Sequence, residues 1–272
     1  MIHPTALVDR KAEIDDTASI GPYCVIDANV RIGAGCRLYH NVYVTGWTEL
    51  GPNCELHPNA IVGHAPQDVK YQGERTYCRV GRGTILRENV TVHRGTTPDS
   101  ETVVGESCFL LAGSHVGHNS RVGNRVTLIN NVLLGGHVVV GDGVTIGGST
   151  GVHQFVRIGE LAMLAGVGRV ILDVLPFAMA DTQGKIAGIN RIGLRRAGVS
   201  REEFSDIREA YRVLFDRRGS FREGIGRVKE TVTTPAGRRL LEFLLAESKR
   251  GFAGRPKGVG YAPDGDAPVQ AH

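Results

Sequence analysis

The chain has 272 residues, 41% of them hydrophobic but only 6% aromatic, with 37 glycines and a net charge of +4. A core of small aliphatic side chains fits that composition, and so mild a charge gives no argument for a nucleic-acid partner. No apolar run is long enough to cross a bilayer and nothing at the start reads as a signal peptide, so a cytoplasmic protein without stable membrane insertion is expected.

From Ile2 onward every sixth residue is aliphatic: Ile2, Val8, Ile14, Ile20, Ile26, Ile32, Leu38, Val44, Leu50, Leu56 and Val62. Asp68 and Glu74 interrupt the frame, which resumes at Val80 and runs through Leu110, Leu128 and Ile146 to Val170, broken again only by Pro98. Strict hexads predict an all-β left-handed parallel β-helix over residues 1–175, three hexads to a coil of 18 residues. The repeated aliphatic points inward, and the residue after it is often glycine, as at Gly21, Gly33, Gly81 and Gly105, because a Cβ there would crowd the corner.

Five cysteines, Cys24, Cys36, Cys54, Cys78 and Cys108, all stand two residues before the aliphatic, a slot filled elsewhere by Ala18, Ala60, Ser114 and Ser120. They read as small packing residues, neither disulfides nor metal ligands. Polar insertions at about 63–79 and 94–103 must leave the column as loops, and loops on a rigid support commonly carry function.

Past Val170 the frame fails. Residues 176–199 read as an irregular connector. A small C-terminal α-helical domain follows at 200–252, opened by a capping box at Ser200 and Glu203 and continued by helices around Phe221 and after Pro235, with Gly251 as the stop. Residues 253–272 read as a flexible tail. Arginines 191, 195, 196, 201, 208, 212, 217, 218 and 222 crowd this part and suit an acidic partner or a phosphate.

Four histidines mark the second half of the column: His115, His118, His137 and His153. With 18 residues per coil, residue 118 lies below 136 and 154, so His118, His137, His153 and Gln154 are expected to form one outward-facing wall about 10 Å tall. The residues themselves leave three readings open: surface histidines without function, a Zn²⁺ site that activates water as in a γ-type carbonic anhydrase, and one imidazole acting as general base in acyl transfer.

Together the hexads, the loop Gln67-Asp68-Val69-Lys70-Tyr71-Gln72-Gly73-Glu74, the runs Thr91-Val92-His93-Arg94-Gly95-Thr96, His115-Val116-Gly117-His118 and Gly135-Gly136-His137, and His153-Gln154-Phe155 resemble the cytoplasmic UDP-N-acetylglucosamine O-acyltransferases that begin lipid A biosynthesis. The resemblance covers residues 1 to about 250. It implies a homotrimer with sites between neighbouring columns, and transfer of a 3-hydroxyacyl chain from acyl carrier protein to the glucosamine 3-hydroxyl. Neither metal nor redox cofactor is implied; the phosphopantetheine thioester is the co-substrate.

By the same resemblance His118 is the general base and the Gly136 N–H the oxyanion donor. Asp68, Lys70, His93, His115, His137, His153, Gln154, Asn190 and Arg196 are substrate-binding residues, and Gly166 is the acyl-chain ruler, its missing side chain favouring a long chain. Two positions depart from the family pattern. Asn119 replaces the aspartate that commonly follows the catalytic histidine, which weakens the base and raises the alternative of N-acylating the 3-amino sugar nucleotide. Ala197 replaces the second arginine of a pair.

Overall fold

The computed structural model describes residues 1–216 and 218–255, so Arg217 and most of the expected tail, 256–272, lie outside the described residues. Short strands from successive hexads stack into three sheets of 9, 8 and 10 strands, parallel throughout except for the last pair of the third. The first face carries Leu7–Val8, Tyr43–Val44, Thr91–His93, His115–Val116, Leu133–Leu134, Gly151–Val152 and Arg169–Val170 among its strands. Register is set by the coil, since Leu7 pairs with Val25 and His115 with Leu133.

At the two insertions the pairing lengthens, with Ile61 opposite Thr91 and Tyr77 opposite Glu101. Those coils hold about 30 and 24 residues in place of 18, and both insertions are therefore whole multiples of six, which is why the aliphatic frame resumes in phase.

The framed aliphatics fill the prism from Ile20 to Val170 at 4% exposure or less. At the lower end Ile2 is 48% exposed. Two further hexad positions have distinct physics. A Cβ on Gly81 would stand 2.6 Å from the Gly105 carbonyl carbon of the next coil, which is the crowding expected after the aliphatic. Two residues further on the backbone turns left-handed, at Asn41, Asn53, Asn59, Asn89, Asn119 and Asn131 among others. Asparagine recurs there because its short side chain tolerates that conformation.

The cysteine slot points inward and bonds the next coil. Cys24 Sγ donates to Tyr39 O at 2.8 Å and Cys108 Sγ to Gly123 O at 3.0 Å, just as Ser120 Oγ donates to Gly135 O at 3.0 Å. All five thiols are free and buried. Burial pushes Cys24 and Cys108 upward and Cys78 up to about 12, so these are inert packing groups.

The connector is more ordered than its sequence suggested. Ala178–Ala180 extends the third face, Ile186–Ile189 pairs with it antiparallel, and α1 (Arg191–Arg196) follows. Phe177, Val174 and Leu175 are buried and close the top of the prism. Three helices come next: α2 (Arg201–Leu214), α3 (Phe221–Thr231) and α4 (Pro235–Leu245). The Ser200–Glu203 capping box forms, and Ser220 with Glu223 makes a second that the sequence reading missed. Helix α4 ends at Leu245, short of Gly251, which has φ +74° in the segment beyond.

That segment is a strap. Asp173 N donates to Gly251 O, Ala253 N to Asp173 O and Ile186 N to Gly254 O, all within 2.9 Å. The expected frayed tail therefore does not begin at residue 253. Arg157 Nε donates to the buried Asp173 carboxylate at 2.7 Å while its guanidinium lies 4.5 Å from the Phe243 ring, and Tyr211 Oη donates to Pro176 O at 2.6 Å. These contacts lock the helices to the upper column.

Candidate active site

Three residues of successive coils stack at the corner that ends the first face: His118, Gly136 and Gln154. They occupy the same place in the hexad, two residues after Val116, Leu134 and Val152. The expected single wall is otherwise corrected by the turn. His153 falls one position earlier, in line with Gly117 and Gly135. His137 falls one position later, in line with Asn119 and Phe155, where its φ of 59° rotates it around the corner.

A groove of about 820 Å³ runs along the first face, lined by Gln67, His93, His115, His118, Gly136, His153, Gln154 and Arg169 among others. His137 instead joins Asn119, Phe155, Arg157 and Lys249 around a smaller recess of about 270 Å³ on the next face. Its ring stacks on Phe155 at 4.7 Å and meets His118 edge-on at 5.3 Å. Burial, then the neighbouring charges of His118 and Lys249, lower its pKa.

Two contacts bear on the tautomer of His118. Asn119 Oδ1 accepts the Thr96 N–H at 3.1 Å, so the atom there is the oxygen, and it lies 2.9 Å from His118 Nδ1. An amide oxygen cannot donate, so this contact favours the proton on Nδ1 and a lone pair on Nε2, while Thr96 Oγ1 also lies 2.6 Å from Nδ1. Nε2 faces Gly136, where an added Cβ would stand 2.5 Å from it. The Gly136 N–H makes no hydrogen bond among the described residues, although its C=O accepts from Phe155 N at 3.1 Å. An imidazole nitrogen and an unengaged amide donor thus share one corner, a pairing suited to taking a proton and holding an oxyanion.

Further down the groove His93 is 6% exposed, its Nδ1 is buried without a partner, and its ring lies 4.8 Å from that of His115. Burial, reinforced by the charges of His115 and His64, pushes its pKa down to about 4. Burial lowers His115 as well, and its Nδ1 pairs with Thr91 Oγ1 at 2.7 Å. The first insertion is pinned by Arg94, which donates to Tyr71 Oη at 2.8 Å and to Gly63 O at 2.8 Å. This brings Gln67 into the groove and Asp68 near enough to His137 to counter part of its shift. Lys70 is exposed on the same loop.

Asp68, Lys70 and His137 do not line this groove, and three further expected site residues stand away from it as well. Asn190 is buried and committed to structure, its Oδ1 capping α1 at Gly193 N and its Nδ2 donating to Leu161 O at 2.8 Å. Arg196 is exposed at the end of α1. Gly166 lies at the opposite corner of the first face, one coil above Gly148. Among the described residues no three or more His, Cys, Asp or Glu side chains are grouped to hold a metal ion, and no helix is long and apolar enough to cross a membrane.

A family model described as UDP N-acetylglucosamine O-acyltransferase, domain 2, matches residues 173–253, and one for the bacterial transferase hexapeptide matches 11–46 and 29–64. The chain is similar to the acyl-[acyl-carrier-protein]–UDP-N-acetylglucosamine O-acyltransferase of Thermodesulfovibrio yellowstonii, 44% identical with 92% of this chain and 98% of that one covered. The enzyme of that name from Bartonella henselae is 41% identical, with 92% of each chain covered. The solved UDP-N-acetylglucosamine acyltransferase of Francisella novicida superposes with a TM-score of 0.91 at 33% identity, covering 94% of this chain and 95% of that one. The hexads and these neighbours make the column a left-handed parallel β-helix with a small helical region at its C-terminal end. Matched along nearly its whole length by such relatives, the chain belongs to the acyl-[acyl-carrier-protein]–UDP-N-acetylglucosamine O-acyltransferase family.

Proposed function

We propose that the protein moves a 3-hydroxyacyl chain from the phosphopantetheine thioester of acyl carrier protein to the glucosamine 3-hydroxyl of UDP-N-acetylglucosamine, the first step of lipid A biosynthesis. The observation that carries this reading is the His118 corner, with Nδ1 held by Asn119 and Nε2 presented beside Gly136. Nε2 takes the hydroxyl proton as the oxygen attacks the thioester carbonyl. The Gly136 N–H donates to the oxyanion. As the C–O bond is kept and the C–S bond breaks, the imidazolium returns its proton to the leaving thiolate. No metal or redox cofactor enters this step.

In this reading Asp68, Lys70, His93, His115, His137, His153 and Gln154 hold the sugar nucleotide or the pantetheine arm. Asn190 spends its amide largely within its own chain, and Arg196 stands away from the groove of its own chain and meets a groove only if it belongs to a neighbour. That placement favours a homotrimer, with an open face completed by a second column. The protein is read as cytoplasmic, with the arginines of α1 and α2 receiving the acidic carrier protein.

The test is an acyl-transfer assay pairing UDP-N-acetylglucosamine and its 3-amino analogue with carrier proteins bearing chains of several lengths, with His118→Ala run beside the wild type. The expected result is transfer to the hydroxyl nucleotide, reduced about 10²- to 10⁴-fold in the variant. Transfer to the amine alone overturns the choice of acceptor. No transfer at all, together with one zinc per subunit by metal analysis, overturns the reaction.

A further inference from the structure

We propose that Thr96 is a positioning residue that holds His118 in the tautomer the reaction needs, a role that rests on the acyl-transfer reading. Thr96 belongs to the second insertion, the residues that lengthen one coil beyond the plain repeat. Its Oγ1 lies 2.6 Å from His118 Nδ1, and its own N–H donates to Asn119 Oδ1 at 3.1 Å. The side chain is 7% exposed, so water competes little for either contact.

The three groups form a closed triangle. Were Nδ1 bare, the Thr96 hydroxyl could donate to it, but two lone pairs, on Nδ1 and on Asn119 Oδ1, would then face each other at 2.9 Å. With the proton on Nδ1 both oxygens accept it, and the repulsion disappears. Asn119 brings no charge to this bond, and a neutral acceptor alone biases a tautomer less than a carboxylate would. The hydroxyl of Thr96 supplies a second acceptor on the same side of the ring.

Thr96 is itself rigidly presented. Gly95 N donates to Tyr77 O at 3.2 Å, Thr97 N to Ser100 Oγ at 3.1 Å and Ser100 N to Thr97 O at 2.9 Å. A side chain on Gly95 would collide with the Ser100 hydroxyl and backbone, so the turn closes on itself there. The backbone of Asn119 is fixed in turn, its N–H donating to Thr102 Oγ1 at 2.8 Å. Both acceptors are therefore in place before substrate arrives.

The experiment labels the histidine ring nitrogens with ¹⁵N in the intact protein and assigns His118 by comparison with His118→Ala. In the wild type, where the ring is neutral, the proton is expected on Nδ1; a proton on Nε2 overturns the proposal without any further variant. Thr96→Val, which keeps the shape and removes the acceptor, is expected to mix the tautomers and lower kcat about 10- to 100-fold with KM for the nucleotide unchanged. Thr96→Ser is expected to restore both, and a serine variant as impaired as the valine one overturns the role of the hydroxyl. In an Asn119→Asp background the valine substitution should cost less, because a carboxylate alone holds the Nδ1 proton; an equal loss overturns the proposal. A wild type that acylates no nucleotide sinks the reaction assigned above, while the ring spectra still decide what Thr96 does.

Discussion

His118 and Gly136 stand one coil apart at the same corner, the imidazole so close below the glycine that a methyl group there would overlap its Nε2 edge. Gly136→Ala is therefore expected to displace the base by about an ångström, a misplacement of the kind that costs about 10²-fold in kcat. A steady-state assay checks this. The melting temperature should hardly move, since the ring can swing into the open groove.

His93 gives a pH dependence with a definite sign. Its folded pKa of about 4 lies below the ordinary value of about 6.5, because burial disfavours the cation. Between those values the unfolded chain binds the extra proton. Stability from this group is full above about pH 6.5 and is lost as pH falls toward 4, by roughly 3 kcal/mol at most. Melting curves across that window should show the decline. His93→Phe, which also removes the unpartnered Nδ1, should make it shallower, the remainder coming from His115 and His137.

Asp173→Ala removes the partner of Arg157 at the junction of column and helices. The guanidinium would be left largely buried between Phe243 and Phe252 without its carboxylate, a loss of about 3–5 kcal/mol. Urea unfolding followed by circular dichroism measures it. An effect under 1 kcal/mol would mean that this junction contributes little to stability.

The proposed role of Gly166 as acyl-chain ruler can be tested. An added Cβ would stand 3.2 Å from Gly148 O, a tight approach, and with no side chain at this corner the wild type is expected to prefer a long acyl chain over a medium one. Gly166→Met should shift the preference toward shorter chains, read as relative kcat/KM across carrier proteins of graded chain length.

The column was legible because burial repeats every six residues, and the insertions kept that phase. What the sequence hid follows from the turn. One residue of difference in the hexad carries His137 onto another face from His118, and the left-handed corner that does this was marked by asparagines whose regular spacing went unread. Thr96 was hidden for another reason: an insertion has no repeat to place it, and its approach to His118 exists only once the loop has folded. Asn190 shows the converse. A residue matched to the nucleotide-binding pattern spends most of its amide on a helix cap and a neighbouring carbonyl, contacts that no spacing announces.

The inward donors of the cysteine slot carry a practical consequence. For Cys24, Cys36, Cys54 and Cys108 the sulfur meets a main-chain carbonyl that a hydroxyl would satisfy equally well, as it already does at Ser120. Serine at those four sites and alanine at Cys78 would give a thiol-free protein, on which a single reporter could be placed at any corner to watch two columns meet.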